Sequence, residues 1–231
     1  VLIYTAGTSG QPKGAMLTHR AMMANHDQML RVTEPAPMLP DDVVLIVLPM
    51  FHIYALNAAL GLVTRCGATA VISDRFDAEG SLKLIADHAV THVAGAPPMY
   101  IGWSTVPDFA ERMASVRMLI SGASPLLPAV FQQFESAGLT IWEGYGMTEA
   151  APVITSTIVT GVPKPGSVGQ PLPGVETKLV DESGSEVEEG DPGEIIVRGP
   201  NLFSGYWPDG SDGPDPDGWF ATGDIAIADQ D

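Results

Sequence analysis

The chain has 231 residues, 45% of them hydrophobic, which is enough apolar material for one large core or two smaller ones. A formal net charge of −17 argues against a nucleic-acid partner and against anionic membrane surfaces. The single cysteine, Cys66, excludes an intrachain disulfide and suits a reducing cytosol, and no apolar run approaches the roughly 20 residues of a spanning helix.

The charge is uneven. From residue 176 onward there are 15 Asp and Glu against Lys178 and Arg198, whereas residues 1–175 hold 13 acids and 9 bases. The last quarter therefore reads as a solvated acidic surface, and the nearly neutral remainder is where an anionic ligand is expected. The five histidines form no metal set. His88 and His92 are four apart, but Thr91 and Val93 place a helix end and a strand start between them, so each is expected as a core or surface histidine.

In chain order, an apolar strand at residues 1–4 feeds a loop with glycines at 7, 10 and 14, hydroxyls at Thr5, Thr8 and Ser9, and Lys13. Glycine permits close backbone approach, successive N–H groups form an anion nest, and ammonium and hydroxyls add hydrogen bonds. Gln11 and Pro12 separate Gly10 from Lys13, so this is not the Walker pattern, and Gln11 stands where a serine-hydrolase elbow needs glycine. On the residues alone the stretch is either a polyphosphate grip or a mobile loop.

Thr18 is a helix cap, with Met22, Met23, His26, Met29 and Leu30 at helical spacing to about residue 32. Residues 34–42, with three prolines, connect to a strand at 43–48. Helix is expected at 55–65, ended by Gly67, then strand at 68–72, helix at 82–88 and strand at 91–94, with Pro97 and Pro98 behind it. A strand at 116–120, a helix at 128–137 and a short strand at 139–142 complete an alternation that predicts an α/β fold, a mostly parallel sheet with helices on both faces. Ligands of such sheets sit at the carboxyl ends of strands. The loops at 5–20, 49–54, 121–126 and 143–149 each follow a strand and are expected to converge on one edge. Beyond residue 165 the pattern changes to strands at 175–180 and 194–198, with a possible third at 225–228. The division is thus residues 1–165 for the α/β part and 166–231 for a small β subdomain.

Two further motifs stand out. Glu143-Gly144-Tyr145-Gly146-Met147-Thr148-Glu149 sets an aromatic face between two glycines expected to allow tight turns, followed by oxygens suited to a magnesium ion that keeps most of its waters. Alone, Thr148-Glu149 is equally a helix start. Residues 217–224, Asp-Gly-Trp-Phe-Ala-Thr-Gly-Asp, bracket an aromatic pair with glycines and end on Asp224, either a turn aspartate or a bidentate hold on ribose hydroxyls.

Taken together, the loop at 4–20, the Tyr-Gly-Met-Thr-Glu run and the segment ending in Asp224 resemble the adenylate-forming superfamily. That superfamily includes acyl-CoA synthetases, firefly-type luciferases and adenylation domains of peptide synthetases. The resemblance implies ATP and magnesium (Mg2+) as cofactors. It puts Thr5, Gly7, Thr8, Ser9, Gly10 and Lys13 on the phosphates, Thr8 and Glu149 on the metal with Thr148 beside them, and Gly144, Tyr145, Gly146 and Asp224 on the nucleoside. Gly122, Ala123 and Ser124 fall where the adenine and acyl pocket is lined.

The stretch Pro-Met-Phe-His-Ile-Tyr-Ala-Leu-Asn at 49–57 is similar to 4-coumarate-CoA ligases and fatty acyl-CoA synthetases, which places His52 between the acyl pocket and the thiol. Tyr54, Asn57, Ala123 and Met147 are the expected acyl wall. The implied reaction joins a small carboxylic acid to CoA through an acyl-adenylate, releasing pyrophosphate and AMP. Within the superfamily the alternatives are a luciferase-like oxygenase and a carrier-protein-loading domain, and outside it a non-catalytic nucleotide-binding fragment. The resemblance runs nearly end to end but covers the middle of such an enzyme; the hinge, a ribose-contacting arginine and a catalytic lysine would follow residue 231. Weak or absent turnover is therefore expected of these residues alone, in a cytosolic protein for which peripheral membrane association stays open. The loop at 208–216 is shorter than usual and lacks the expected Pro-Glu-Thr.

Overall fold

A computed structural model describes residues 1–5 and 11–230. The chain opens as a hairpin in which β1 (Leu2–Thr5) pairs antiparallel with β2 (Lys13–Met16), Thr5 opposite Lys13. Helix α1 (His19–Leu30) begins where Thr18 accepts a hydrogen bond from the Ala21 amide. Strand β3 (Val43–Ile46) leads to a π-helical segment, Tyr54–Gly61, that continues as α2 (Leu62–Cys66) and is closed by Gly67 at φ 75°. Then come β4 (Thr69–Ile72), α3 (Ala78–Asp87), β5 (His92–Gly95), α4 (Pro97–Ser104), α5 (Phe109–Arg112), β6 (Met118–Ser121), α6 (Pro128–Ser136) and β7 (Ile141–Gly146). β8 (Val153–Ser156) and β9 (Gln170–Pro171) follow, and β10 (Glu176–Val180), β11 (Pro192–Arg198) and β12 (Trp219–Ile227) end the chain.

The large sheet has the order β4-β3-β5-β6-β7-β8-β9, parallel from β4 to β7 and antiparallel from β7 to β9. Strands β10 to β12 form a separate antiparallel sheet. Strand alternation divides the interior into two cores. Val44, Ile46, Ala94, Met118 and Trp142 face α1, the π-helical segment and α2. Leu45, Val93, Leu119 and Ile141 face the layer of α3, α4, α5 and α6, where Tyr100, Trp103 and Phe134 are fully buried. Burial on both faces is why β3 reads as a continuous apolar run.

Several expectations are corrected. The loop after residues 1–4 joins the strands of a separate hairpin, so it does not leave the edge of the parallel sheet, and Lys13 lies on β2. Residues 143–146 continue β7 instead of forming a loop, because β8 supplies a second ladder for them. Asp224 likewise lies within β12. Pro97 and Pro98 start α4, where the missing N–H groups cost nothing. β9, at residues 170–171, still belongs to the large sheet.

The inner face of α1 mixes apolar and polar residues: Ala21 and Met29 are buried, with Met22 and Leu30 packed against the same core. Asn25 and Gln28 are buried, while Met23 is exposed. Asn25 exchanges two hydrogen bonds with the Val153 backbone (2.8 and 3.1 Å) and also donates to Gln28, which donates to Asn201 at 3.1 Å. Asn201 in turn donates to the Ala150 carbonyl at 2.7 Å. This satisfied chain fixes α1 against β8 and the segment entering β12. The neighbouring His26 donates to the Asn57 carbonyl at 3.0 Å within the π-helical segment, and a Cβ on Gly61 would come within 2.7 Å of that imidazole.

Asp42, 3% exposed, ties the start of β3 to β5 and β6. It accepts from Thr91 (2.7 Å), the Leu39 amide (2.7 Å) and both arms of Arg117, with Nε at 2.8 Å. Burial alone would raise its pKa, but the bonds from Arg117, Thr91 and Leu39 outweigh it and hold the carboxyl below its ordinary value. Arg117→Met is expected to cost about 2 kcal/mol in urea unfolding, less than a fully buried pair because Arg117 is partly exposed. With the folded pKa depressed, Asp42's contribution is present above the unfolded carboxyl pKa and lost as pH falls through the folded one. An unchanged unfolding midpoint in Arg117→Met at pH 7 would contradict this account.

Candidate active site

A cavity of about 330 Å3 extends between the α1-facing side of β5, β6 and β7 and the π-helical segment. Its wall brings together Thr5, His52, Tyr54, Gly122, Ala123, Gly144, Tyr145, Gly146, Met147, Thr148 and Glu149 from separate parts of the chain. Gly7, Thr8, Ser9 and Gly10 lie outside the described residues.

The glycines flanking Tyr145 serve strand packing, not turns. A Cβ on Gly146 would stand 2.1 Å from the Pro152 carbonyl oxygen, and one on Gly144 would stand 2.9 Å from that of Thr155. Their absence lets β8 lie flush against β7 and leaves Tyr145 projecting. Its hydroxyl donates to Asp224 at 2.6 Å, and burial together with that carboxylate raises the phenol pKa. Ala123, after β6, holds φ 74°, a left-handed conformation that a non-glycine residue rarely adopts and that functional loops favour.

Glu149 is 5% exposed and accepts from the Tyr206 hydroxyl at 2.5 Å through Oε1. Burial and this carboxylate push the Tyr206 phenol up. The Lys13 ammonium sits 4.8 Å from the Tyr206 ring centroid and 3.0 Å from Asp212. Lys13, Tyr206 and Glu149 thus form a row of cation, ring and carboxylate. No three His, Cys, Asp or Glu side chains group as a metal cage among the described residues. Glu149 still fits magnesium, which takes one or two carboxylates and otherwise water and phosphate oxygens, because among the described residues only its Oε1 carries a hydrogen bond.

On the opposite wall, Tyr54 donates to the Ile120 carbonyl at 3.1 Å, and Tyr100 to the same oxygen at 2.8 Å. Burial raises the Tyr54 phenol. His52 accepts the Tyr54 amide at Nδ1 (3.1 Å), and partial burial lowers its pKa, which favours a neutral ring with its proton on Nε2. Glu143, below Tyr145 on β7, accepts from the Gly166 amide at 3.1 Å and the Leu126 amide at 3.4 Å, and burial raises its pKa.

Not every candidate reaches the cavity. Asn57 is buried elsewhere, both amide hydrogens being given to the Met22 (3.1 Å) and Ala151 (2.6 Å) carbonyls. Ser124 is exposed on the loop beyond Ala123. Lys13 and Asp224 adjoin the wall through Tyr206 and Tyr145. Tyr206, Asp212 and Pro152 were not among the candidate site residues read from the sequence, and His92 was expected only as a core or surface histidine; an aromatic residue between glycines in the 205–213 loop was the available signal for Tyr206.

A mostly parallel sheet, a smaller antiparallel sheet sharing its core, and this cavity define the large-domain architecture of adenylate-forming enzymes. A family model described as "AMP-binding enzyme" matches residues 1–207, and the chain belongs to that family. It is 36% identical to a long-chain-fatty-acid–CoA ligase of Yersinia pestis, covering 100% of this chain and 42% of the relative. It is also 36% identical to 4-coumarate–CoA ligase 3 of Oryza sativa subsp. japonica, covering 100% and 44%. A solved malonyl-CoA ligase ternary product complex, with methylmalonyl-CoA and AMP bound, superposes with TM-score 0.86 at 35% identity over 99% of this chain and 50% of that one. The chain spans less than half the length of these curated relatives.

Gly146→Ala is expected to destabilise the fold by about 2–3 kcal/mol, because the new methyl meets backbone that cannot yield without parting β7 from β8. Chemical denaturation checks it, and a variant as stable as the parent would refute the stated role of this glycine.

Proposed function

We propose that the chain carries the nucleotide and acid sites of an ATP-dependent acyl-CoA synthetase of the AMP-forming type, acting on a fatty or aryl acid in the cytosol. The observation that carries this reading is a single cavity with a polar mouth, Thr5 and Tyr145 to Glu149, continuous with an apolar interior that includes Met29, Ala58, Leu62 and Leu172. Its volume suits a small acid together with part of a nucleotide.

In this reaction a carboxylate oxygen attacks the α-phosphorus of ATP, the P–O bond to pyrophosphate breaks, and the acyl-adenylate then passes its acyl group to the CoA thiol with loss of AMP. The acid is already ionised at neutral pH, so no general base is needed for the first step. The obstacle is repulsion, on the order of 4 kcal/mol for two unit charges about 4 Å apart at an effective dielectric of 20. The remedy is fixed positive charge and alignment. Lys13, Thr5 and the loop through Gly7, Thr8, Ser9 and Gly10 would take the departing phosphates, Lys13 exchanging Asp212 for them. Tyr145 would present its face to the adenine, and Asp224 would receive the ribose hydroxyls. Magnesium, held by Glu149 and Thr8 with Thr148 adjoining, would neutralise phosphate charge. His52 and Tyr54 would border the acyl group, with Ala123 and Met147 completing the wall.

With ATP, CoA and a panel of fatty and aryl acids, the full-length protein is expected to release AMP and pyrophosphate. Lys13→Ala and Glu149→Ala should each slow ATP–pyrophosphate exchange by about a hundredfold or more while the protein stays folded. Release of ADP, or variants as active as the parent, would sink the reading.

A further inference from the structure

Among the described residues, two buried side-chain polar atoms lack a hydrogen-bond partner, His92 Nδ1 and Ser121 Oγ, and both residues line the cavity. His92 lies on β5, two residues before Ala94 and on the same face of the strand, and both line the cavity. His92 is 3% exposed, and its Nδ1 has no hydrogen-bond partner among the described residues. The ring's other hydrogen bond is to the Pro37 backbone. Proline has no N–H, so its carbonyl is the acceptor and the ring donates from Nε2. Burial pushes the His92 pKa down to about 4, so at neutral pH the ring is uncharged and Nδ1 is a bare lone pair. Met29, Ala58, Leu62 and Leu172, which also line the cavity, have no side-chain donor to offer it. Ser121 also lines the cavity with a buried, unpartnered Oγ, but a hydroxyl can donate as well as accept, whereas the neutral His92 Nδ1 can only accept.

We infer that His92 is a specificity-determining acceptor for the far end of the acid: it favours a substrate whose tail ends in a hydrogen-bond donor, a hydroxyl, over one ending in a methyl group or a second carboxylate. This rests on the ligase reading of the same cavity. A hydroxyl donates to Nδ1 and completes the site, a methyl leaves the lone pair unsatisfied, and an ionised carboxylate opposes it with further lone pairs. Three strand steps separate His92 from Gly95, whose register partner Ser121 adjoins Gly122 and Ala123 at the mouth. That is about 10 Å, the reach of an acid of roughly eight carbons.

The test is ATP–pyrophosphate exchange by the full-length protein with octanoate, 8-hydroxyoctanoate and octanedioate. The hydroxy acid is expected to exceed octanoate by about three- to tenfold in kcat/KM, mainly through KM, with octanedioate the poorest. His92→Leu should keep activity on octanoate and lose the preference, whereas His92→Gln, which retains an acceptor oxygen, should keep it in part. A purely structural histidine would shift all three acids alike. Equal rates for octanoate and its hydroxy analogue, or a preference that survives His92→Leu, would overturn this inference alone. Failure of every acid in the wider panel would sink the ligase reading and this inference with it.

Discussion

The structure depends on the way β7 is held between two unlike neighbours. It runs parallel to β6 on one side and antiparallel to β8 on the other, and the second contact exists because Gly144 and Gly146 present bare backbone to Pro152 and Thr155. Everything at the mouth of the cavity is referred to that seam. Tyr145 stands between the two glycines and reaches Asp224 on the small sheet. Thr148 and Glu149 form the short 3-10 turn between β7 and β8. Asn25 of α1 grips β8 at Val153, and Asn201 grips the Ala150 carbonyl, so α1 and the small sheet are fastened to the same turn.

The second organising feature is the segregation of polar atoms within an apolar interior. Asn25, Gln28, Asn201 and Asn57 all spend their amides on fixed partners, which keeps the inner face of α1 rigid beside the cavity. Glu149 is met by Tyr206 and, through that ring, by Lys13. The acidic character of the small sheet and its loops is therefore not remote from the proposed phosphate site: Asp212 supplies the partner of Lys13, and Asp224 the partner of Tyr145. A charged ligand would enter by exchanging such contacts, which leaves the site neutralised in its absence.

Local periodicity made most of the large sheet legible. Residues 43–48 and 118–120 are apolar throughout because both faces are covered, and Thr18 and Gly67 mark helix ends by their own chemistry. What local pattern cannot express is pairing at a distance. Nothing in residues 143–146 announces that β8 will extend β7, and nothing in residues 1–5 and 13–16 announces a hairpin outside the main sheet. The polar face of α1 was hidden because Asn25 and Gln28 look solvent-facing until Val153 and Asn201 arrive. Of the proposed site, the motif residues at the mouth were readable from resemblance, and most line one cavity. Asn57 was misplaced because its neighbours in sequence, not its own amide, suggested the acyl wall. His92 was expected only as a core or surface histidine, because nothing local to a strand start shows the cavity it lines.

The central claim is that this cavity receives an acyl-adenylate, nucleoside at the mouth and acyl group inside. Calorimetric titration of the full-length protein with a non-hydrolysable acyl-sulfamoyl adenosine tests it most directly. The account predicts one tight site per chain, weakened markedly by Asp224→Ala and by Gly122→Val. Absence of binding to folded protein, or affinity indifferent to both substitutions, would contradict it.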